Sequence, residues 1–465
     1  MMRSSQAYSR PNILFIMADQ LRFDALGVTG GYVRTPHIDS IAAMSFTQCH
    51  TNSPVCIPAR ASLAVGRYPH QIPIWQHDNN YTLSTAFPTW MQAVRDAGYR
   101  TSIFGKTHLH PHVGDLRAYE PLMHRFGMDD VHEVIGHHSG ALSTSYLTDY
   151  WQERGLLDAF IKDMNIRITS TKPESRASVL LKKDYCDSYI GRKAAEYLSG
   201  YARKEPWMCW VSFPGPHDPW DAPIPYDTMY QPSQLPPPIA RRDFGLTRNC
   251  VLKERLFIQD KSNPQLTPDE VASLRANYFG KVSLIDDLVG GILDVIKQRG
   301  EFDNTLIVFT ADHGDLNGDH GFFLKSCFFD AAARIPLIIK QPGAIQDNPR
   351  LQSNALVELM DVGATIADYA QAHLHADFEG KSFKPVIEGT TSTHRDMVLS
   401  EFKRELMLAD ANWKVVTNRL GNIVQLFNRV ADPDEQTNLA DRLNYDQAMS
   451  NLLKRAADVR TSIIH

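Results

Sequence analysis

Leu306-Ile307-Val308-Phe309-Thr310-Ala311-Asp312-His313-Gly314 opens with a run, apolar but for Thr310, that stops at the acid Asp312, and Ile13-Leu14-Phe15-Ile16-Met17-Ala18-Asp19 likewise stops at an acid. Branched and aromatic residues without polar alternation mark strands buried on both faces. Similar runs occupy residues 101–104, 207–213 and 336–339. Between them, residues 88–97, 187–202 and 268–298 carry apolar side chains at spacings of three and four, the last with Pro268 in its first turn, and read as helices. Strands alternating with helices give an α/β fold, a large mostly parallel sheet sandwiched by helices. Ligands of such sheets bind beyond the carboxyl ends of the strands, so Asp19 and Asp312 are expected to converge on one cation, with His313 beside them. Carboxylates and one imidazole suit a hard or borderline divalent ion.

Outward from these strands the pattern weakens. Residues 113–183 and the proline-dense 219–238 read as loops or insertions at one end of the sheet. A helix is expected over 356–372. Short runs at 397–402, 413–417 and 423–427, followed by a helix around 445–459, predict a small antiparallel sheet with one helix. The expected division is a catalytic α/β domain over 1–390 and a smaller C-terminal α+β unit over 391–465.

Composition narrows the function classes. The chain has 465 residues, 43% of them hydrophobic and 22% charged, and a net charge of −5, values of an ordinary globular protein without a field for nucleic acid or an anionic membrane. No apolar run approaches the ~20 residues that span a bilayer, and no secretory signal is evident, so a cytoplasmic location is expected. Six cysteines without a C-x-x-C pair indicate neither a zinc knot nor a disulfide framework, but reduced, mostly buried thiols.

One cysteine stands apart, in Ser53-Pro54-Val55-Cys56-Ile57-Pro58-Ala59-Arg60-Ala61-Ser62-Leu63-Ala64-Val65-Gly66-Arg67. Pro58 suits the first turn of a helix, which sets Cys56 at the positive end of the helix dipole and Arg60 one turn on, a place that welcomes an anion. Taken singly, a cysteine before a helix is more often a buried structural thiol. Here Cys56-x-Pro58-x-Arg60 followed by Gly66-Arg67 resembles the signature of the type I sulfatases of the alkaline phosphatase superfamily. Residues 12–19, Thr35-Pro36-His37-Ile38-Asp39, Gly105-Lys106-Thr107-His108, Pro216-His217-Asp218-Pro219, Ala311-Asp312-His313-Gly314-Asp315, Gly318-Asp319-His320-Gly321, Lys325, Arg334-Ile335-Pro336 and the 432–439 ending resemble family segments in the family's order.

The resemblance implies a sulfuric ester hydrolase in which Cys56 is oxidised to formylglycine by a formylglycine-generating enzyme and its hydrate is the nucleophile. It implies a divalent metal held by Asp19, Asp312, His313 and the formylglycine at position 56. Gln20 stands where most sulfatases carry a second aspartate, either as a ligand or behind the ligands. Calcium is the usual ion, and His313 in place of the commoner asparagine leaves manganese or magnesium open. By the same resemblance Lys106 and Lys325 bind sulfate, Arg60 holds the hydrate, His217 protonates the leaving alcohol and His108 takes the proton that releases sulfate. His77 and Asn79 are candidate substrate contacts, equally readable with Asp78 as a polar loop; His112 and His138 are weaker ones. His110, His124, His132 and His137 read as solvated loop residues. Trp75, Trp151, Trp210 and Trp220 either line a sugar-stacking pocket or fill the core.

The expected substrate is a small-molecule or sugar sulfate ester, and a homo-oligomer is compatible with the sequence. A phosphonate monoester hydrolase or phosphodiesterase is the rival reading, favoured by Gln20 and His313. Lys106-Thr107-His108 favours sulfate, because those relatives resemble Tyr-x-Thr there. A non-catalytic metal-binding protein with Cys56 left as a thiol is the third reading.

Overall fold

The two apolar runs that end in Asp19 and Asp312 lie side by side. In the computed structural model, which describes residues 10–464 except 137–139, 141, 171, 247, 263–265, 345–350 and 442–446, the strands before the C-terminal region run in this order. They are β1 (Asn12–Asp19), β2 (Met44–His50), β3 (Arg100–Gly105), β4 (Gly114–Asp115), β5 (Asp130–Glu133), β6 (Ser143–Thr144), β7 (Trp207–Pro216), β8 (Thr305–Ala311), β9 (Arg334–Lys340) and β10 (Leu351–Glu358). Eight of them form one sheet in the order β10-β2-β9-β8-β1-β7-β3-β5, while β4 and β6 pair separately. Phe15 of β1 sits opposite Val308 of β8 and Trp210 of β7, both parallel neighbours. Only β9 is reversed, pairing antiparallel with both β8 and β2. The carboxyl ends of β1, β2, β3, β7 and β8 therefore share one edge of the sheet.

Helices cover both faces, as a sheet of fully buried strands requires. The longest, Pro268–Gln298, starts where its sequence says it should. Thr267 accepts the Glu270 backbone N–H and the Glu270 side chain returns to the Thr267 backbone, with Pro268 just inside. It packs against the helix Cys186–Gly200 and against β7.

The small C-terminal sheet consists of β11 (Val398–Phe402), β12 (Glu405–Ala409), β13 (Trp413–Thr417) and β14 (Ile423–Asn428), antiparallel in that order. The helix Gln447–Ile464 lays Leu452 and Ala456 on its Leu406, Leu408, Val415 and Leu426 face.

The weakly patterned stretch 113–183 is more than loop. It supplies β5 at the sheet edge and the helices Tyr146–Glu153 and Leu157–Thr169. Asp130, Val131 and His132 of β5 are only partly buried, so no apolar run announces that strand. The expected helix over 356–372 is a strand that runs to Glu358 and then a helix, Leu359–Tyr369, whose capping box joins Glu358 and Asp361. Among the described residues, no helix is long and apolar enough to cross a membrane. All six cysteines are buried and free.

Candidate active site

Cys56 opens the helix Cys56–Val65, every residue of which is buried. Val55 ahead of it is extended, Pro58 lies in the first turn, and Gly66 closes the helix in the left-handed region at φ 62°. A Cβ at Gly66 would sit 2.3 Å from the Phe378 ring, so this stop admits no larger residue without repacking. The loop into the helix is tied down on both sides. The Thr51 hydroxyl donates to the Asp312 carbonyl at 2.5 Å, the Asn52 amide bridges Glu358 and the Met360 backbone, and the Glu401 N–H donates to the Asn52 carbonyl.

One turn on, Arg60 is fully buried and spends its donors inside the protein. Nε reaches Asp312 at 2.7 Å, Nη1 reaches the Lys106 carbonyl at 2.7 Å and Ser212 at 3.0 Å, and Nη2 lies 3.4 Å from Asp19. Its guanidinium thus locks the two strand-end carboxylates together and ties them to the Lys106 carbonyl and Ser212.

The carboxylates present the unsatisfied face. His313 Nδ1 donates to the Gly314 carbonyl at 3.0 Å, and its Nε2 faces the carboxylates, 3.7 Å from Asp19 Oδ1 and 3.6 Å from Asp312 Oδ1. His313 Nε2, Asp19 Oδ1 and Gln20 Oε1 are all buried without a hydrogen-bond partner. Carboxylate and amide oxygens gathered beside one imidazole in a dry interior are a ligand set that suits a divalent cation. Ligand atoms of Asp19, Asp312 and His313 lie within 4.8 Å of one another. Gln20 is held from behind: its N–H donates to Asp312 at 3.0 Å and its amide nitrogen to Asp315, whose carboxyl burial pushes up to about 6. A second trio, His37, Asp286 and Asp287, is equally compact. There Asp286 accepts the His37 and Ile38 backbone N–H groups, and Asp287 accepts from Lys182 and Tyr226.

Cations face Cys56 from two sides. Lys325 Nζ lies 3.9 Å from Cys56 Sγ and 4.0 Å from Asp19, and Lys106 Nζ lies 2.5 Å from Asp19. Burial alone would raise the Cys56 thiol, but Lys325, Lys106 and His108 outweigh it and hold the group well below a free thiol. Asp19 behaves likewise: burial opposes its charge, and Lys106, Lys325 and His217 hold it ionised. The Sulfatase family profile matches residues 11–372. This chain belongs to the sulfatase family.

The sulfatase also matches, over residues 318–462, the profile of the C-terminal region of N-sulphoglucosamine sulphohydrolase. It is similar to an arylsulfatase of Clostridium perfringens, 27% identical over 96% of this chain and 93% of that protein. A choline-sulfatase of Rhizobium meliloti is 30% identical over 93% of this chain and 83% of its own length. Among solved structures, the phosphonate monoester hydrolase of Agrobacterium radiobacter superposes with a TM-score of 0.81 and 25% identity, covering 98% of this chain and 96% of the other.

Two further histidines border this cluster, His108 beside Cys56 and His217 beside Asp19. His108 is buried with φ 61°, and burial with the neighbouring Lys106 charge brings its pKa down to about 3, so its ring is neutral. His217 follows β7, its Nδ1 directed at the Asp218 carbonyl at 2.9 Å; burial and Lys325 lower it against the pull of Asp218. His77 Nδ1 is 3.8 Å from Cys56 Sγ, and its Nε2 meets Asn79 at 2.7 Å. Asn79 itself is exposed.

His110, His112 and His132 differ from a solvated loop, whereas His124 fits it. His110 and His112 are buried, and the His112 ring stacks on His108 with centroids 4.1 Å apart. His132 stacks on Tyr146, and His124 is exposed. His137 and His138 lie outside the described residues. Trp151 and Trp210 belong to the core, while Trp75 and Trp220 are partly exposed.

Two supporting residues are ones the sequence does not single out as functional. Lys281 is buried on the apolar face of the long helix, an odd place for a lysine, and its ammonium donates to the His217 carbonyl at 2.6 Å, the Pro219 carbonyl and Asp221. Glu133, at the end of β5, accepts from the Thr107 N–H and hydroxyl and from His110. Nothing in its polar edge strand marks it.

Proposed function

We propose that this chain hydrolyses a sulfate monoester through a formylglycine made from Cys56, beside one divalent ion held by Asp19, Asp312 and His313 with Gln20 behind them. The observation that carries the reading is the cluster of Cys56, Lys325, Lys106, Asp19 and His313, in which Asp19 Oδ1 and His313 Nε2 have no hydrogen-bond partner among the described residues. Cys56 Sγ marks the place of the hydrate oxygen. Calcium is the first expectation for the ion, with manganese and magnesium admitted by the imidazole donor. When bound, the ion supplies positive charge to a sulfate oxygen and to the nucleophile.

The chain's own groups divide the remaining work. Lys106 and Lys325 place fixed charge against the sulfate oxygens in a water-poor site. Arg60 fixes the carboxylates that face them. His217 carries the proton for the departing alcohol, and the neutral ring of His108 accepts the proton whose removal lets sulfate leave. The net reaction consumes one water and yields alcohol and sulfate. Conversion of Cys56 calls for a formylglycine-generating enzyme as a maturation partner. The relatives named for choline and aryl sulfate esters support a sulfate ester without fixing the alcohol.

Phosphorus esters are the second reading, favoured by the likeness to a phosphonate monoester hydrolase and by Gln20 and His313. Lys106 with His108 weighs toward sulfate. The test is turnover of nitrophenyl sulfate, a phenyl phosphonate monoester and a phosphodiester by protein whose Cys56 conversion is verified by mass spectrometry. Dominant sulfate turnover, lost in Cys56→Ala, supports the proposal; dominant phosphorus-ester turnover replaces it. Failure of Cys56 to convert beside a maturation enzyme would favour the thiol-bearing metal-binding reading.

A further inference from the structure

A cavity of about 570 Å³ lies where the C-terminal sheet meets the loop that carries His77. Trp75 and Asp78 line it from the catalytic side, one residue from His77 on the Asp78 flank, and His77 reaches to 3.8 Å from Cys56. Lys403, Arg404 and Arg419 line it from the other side, and among the described residues none of the three is ion-paired.

The cations are placed by a costly turn. Lys403 and Arg404 are the two-residue loop between β11 and β12, and both have positive φ, 48° and 64°. A turn of this kind favours Asn-Gly, and two bulky L residues in the left-handed region are strained. The strain is held in place. The Lys403 N–H donates to the Trp75 carbonyl at 2.8 Å, and buried Arg460 of the terminal helix donates to the carbonyls of both Arg404 and Arg419. One arginine thus gathers two cation-bearing turns, the first of which is held to the Trp75 backbone.

The facing charges are separated rather than paired. Glu254 and Asp78 sit on the catalytic-side wall, while Glu405 turns its carboxylate to the Val251 N–H and burial raises it to about 7. A cation wall, carboxylates able to accept hydrogen bonds from hydroxyls and a lining tryptophan together fit a charged sugar. We propose that this cavity is the subsite for an anionic saccharide unit, bearing a carboxylate or a second sulfate, joined to the unit whose sulfate ester lies at Cys56. The assignment rests on the sulfatase reading of that residue and adds a substrate class to it.

The test pairs the wild-type chain with a Lys403→Asn/Arg404→Gly variant, which keeps a favourable turn and removes both charges. Calorimetric binding is measured for a sulfated disaccharide whose second unit is neutral, carboxylated or sulfated, and nitrophenyl sulfate turnover is followed in parallel. Wild type should bind one or both charged forms about tenfold more tightly than the neutral one, and the variant should lose that difference with nitrophenyl sulfate turnover unchanged. Equal affinities in wild type, or a preference that survives in the variant, overturn the subsite. Absence of nitrophenyl sulfate turnover in fully converted protein defeats the sulfatase reading and the subsite with it, whereas equal affinities with turnover intact defeat the subsite alone.

Discussion

His313 Nε2 and Asp19 Oδ1 lie 3.7 Å apart, buried, and among the described residues neither atom has a hydrogen-bond partner. A ring nitrogen and a carboxylate oxygen placed together in this way are two ligand atoms for a divalent cation. Adding a divalent ion should therefore raise the melting temperature of chelator-treated protein, by an amount equivalent to about 2.7 kcal/mol at a hundredfold excess over Kd. Scanning calorimetry with calcium, manganese and magnesium checks this. His313→Asn should shift the preference toward calcium by replacing nitrogen with oxygen. Melting curves indifferent to all three ions would leave the orphaned atoms without this explanation.

Arg60→Lys tests the lock behind that face. A lysine supplies one ammonium where the guanidinium makes bonds to Asp312, Ser212 and the Lys106 carbonyl and approaches Asp19. Breaking a buried pair of this kind costs about 3–5 kcal/mol. Urea denaturation should show that loss, accompanied by weaker metal binding because two carboxylates lose their common brace. Unchanged stability would mean that solvent or another cation replaces the fork.

Much of this site was legible because its residues sit where apolar strands stop. Asp19 and Asp312 end the two most apolar runs, and the parallel sheet carries both to one edge. Cys56, Pro58 and Arg60 declare their helix by local rules. By contrast, β2 mixes Ser45, Thr47 and Gln48 into a buried position, and β5 is half-exposed, so neither has an apolar signature. Glu133 and Lys281 act through contacts 26 and 64 residues away along the chain, distances at which spacing carries no signal.

Glu133→Gln separates positioning from chemistry in the loop that carries Lys106 and His108. Both ring nitrogens of His110 face acceptors, the Pro111 carbonyl at 3.0 Å and Glu133 at 2.6 Å, so the ring holds both protons. Burial opposes that charge and Glu133 sustains it, raising the His110 pKa. A neutral amide keeps an acceptor for Thr107 but withdraws the counter-charge. We expect kcat to fall about tenfold or more through misplacement of His108 and Lys106, with a smaller change in KM and a pH–rate profile displaced from wild type. An unaltered profile would reduce Glu133 to a packing role.

His217→Ala should cost about 10²–10⁴ in rate on alkyl sulfates with poor leaving groups and much less on activated aryl sulfates, which depart without a proton. A series of phenols of graded acidity measures the slope directly. Equal losses across the series would remove His217 as the proton donor.

Glu405 gives a prediction about stability rather than rate. Burial raises its pKa from 4.5 to about 7, so the folded chain holds a proton there that the unfolded chain releases between those values. The folded state binds more protons in that window, and its stability must fall as pH rises through it; the contribution is lost by the time pH exceeds the folded value. Glu405→Gln keeps an oxygen for the Val251 N–H and cannot ionise. Urea midpoints at pH 5 and pH 8 should therefore drop less in the variant than in wild type, by the equivalent of about 1–3 kcal/mol, while groups shared by both proteins cancel in the comparison. Parallel midpoints for the two proteins would mean that water or Lys403 already compensates the ionised carboxylate.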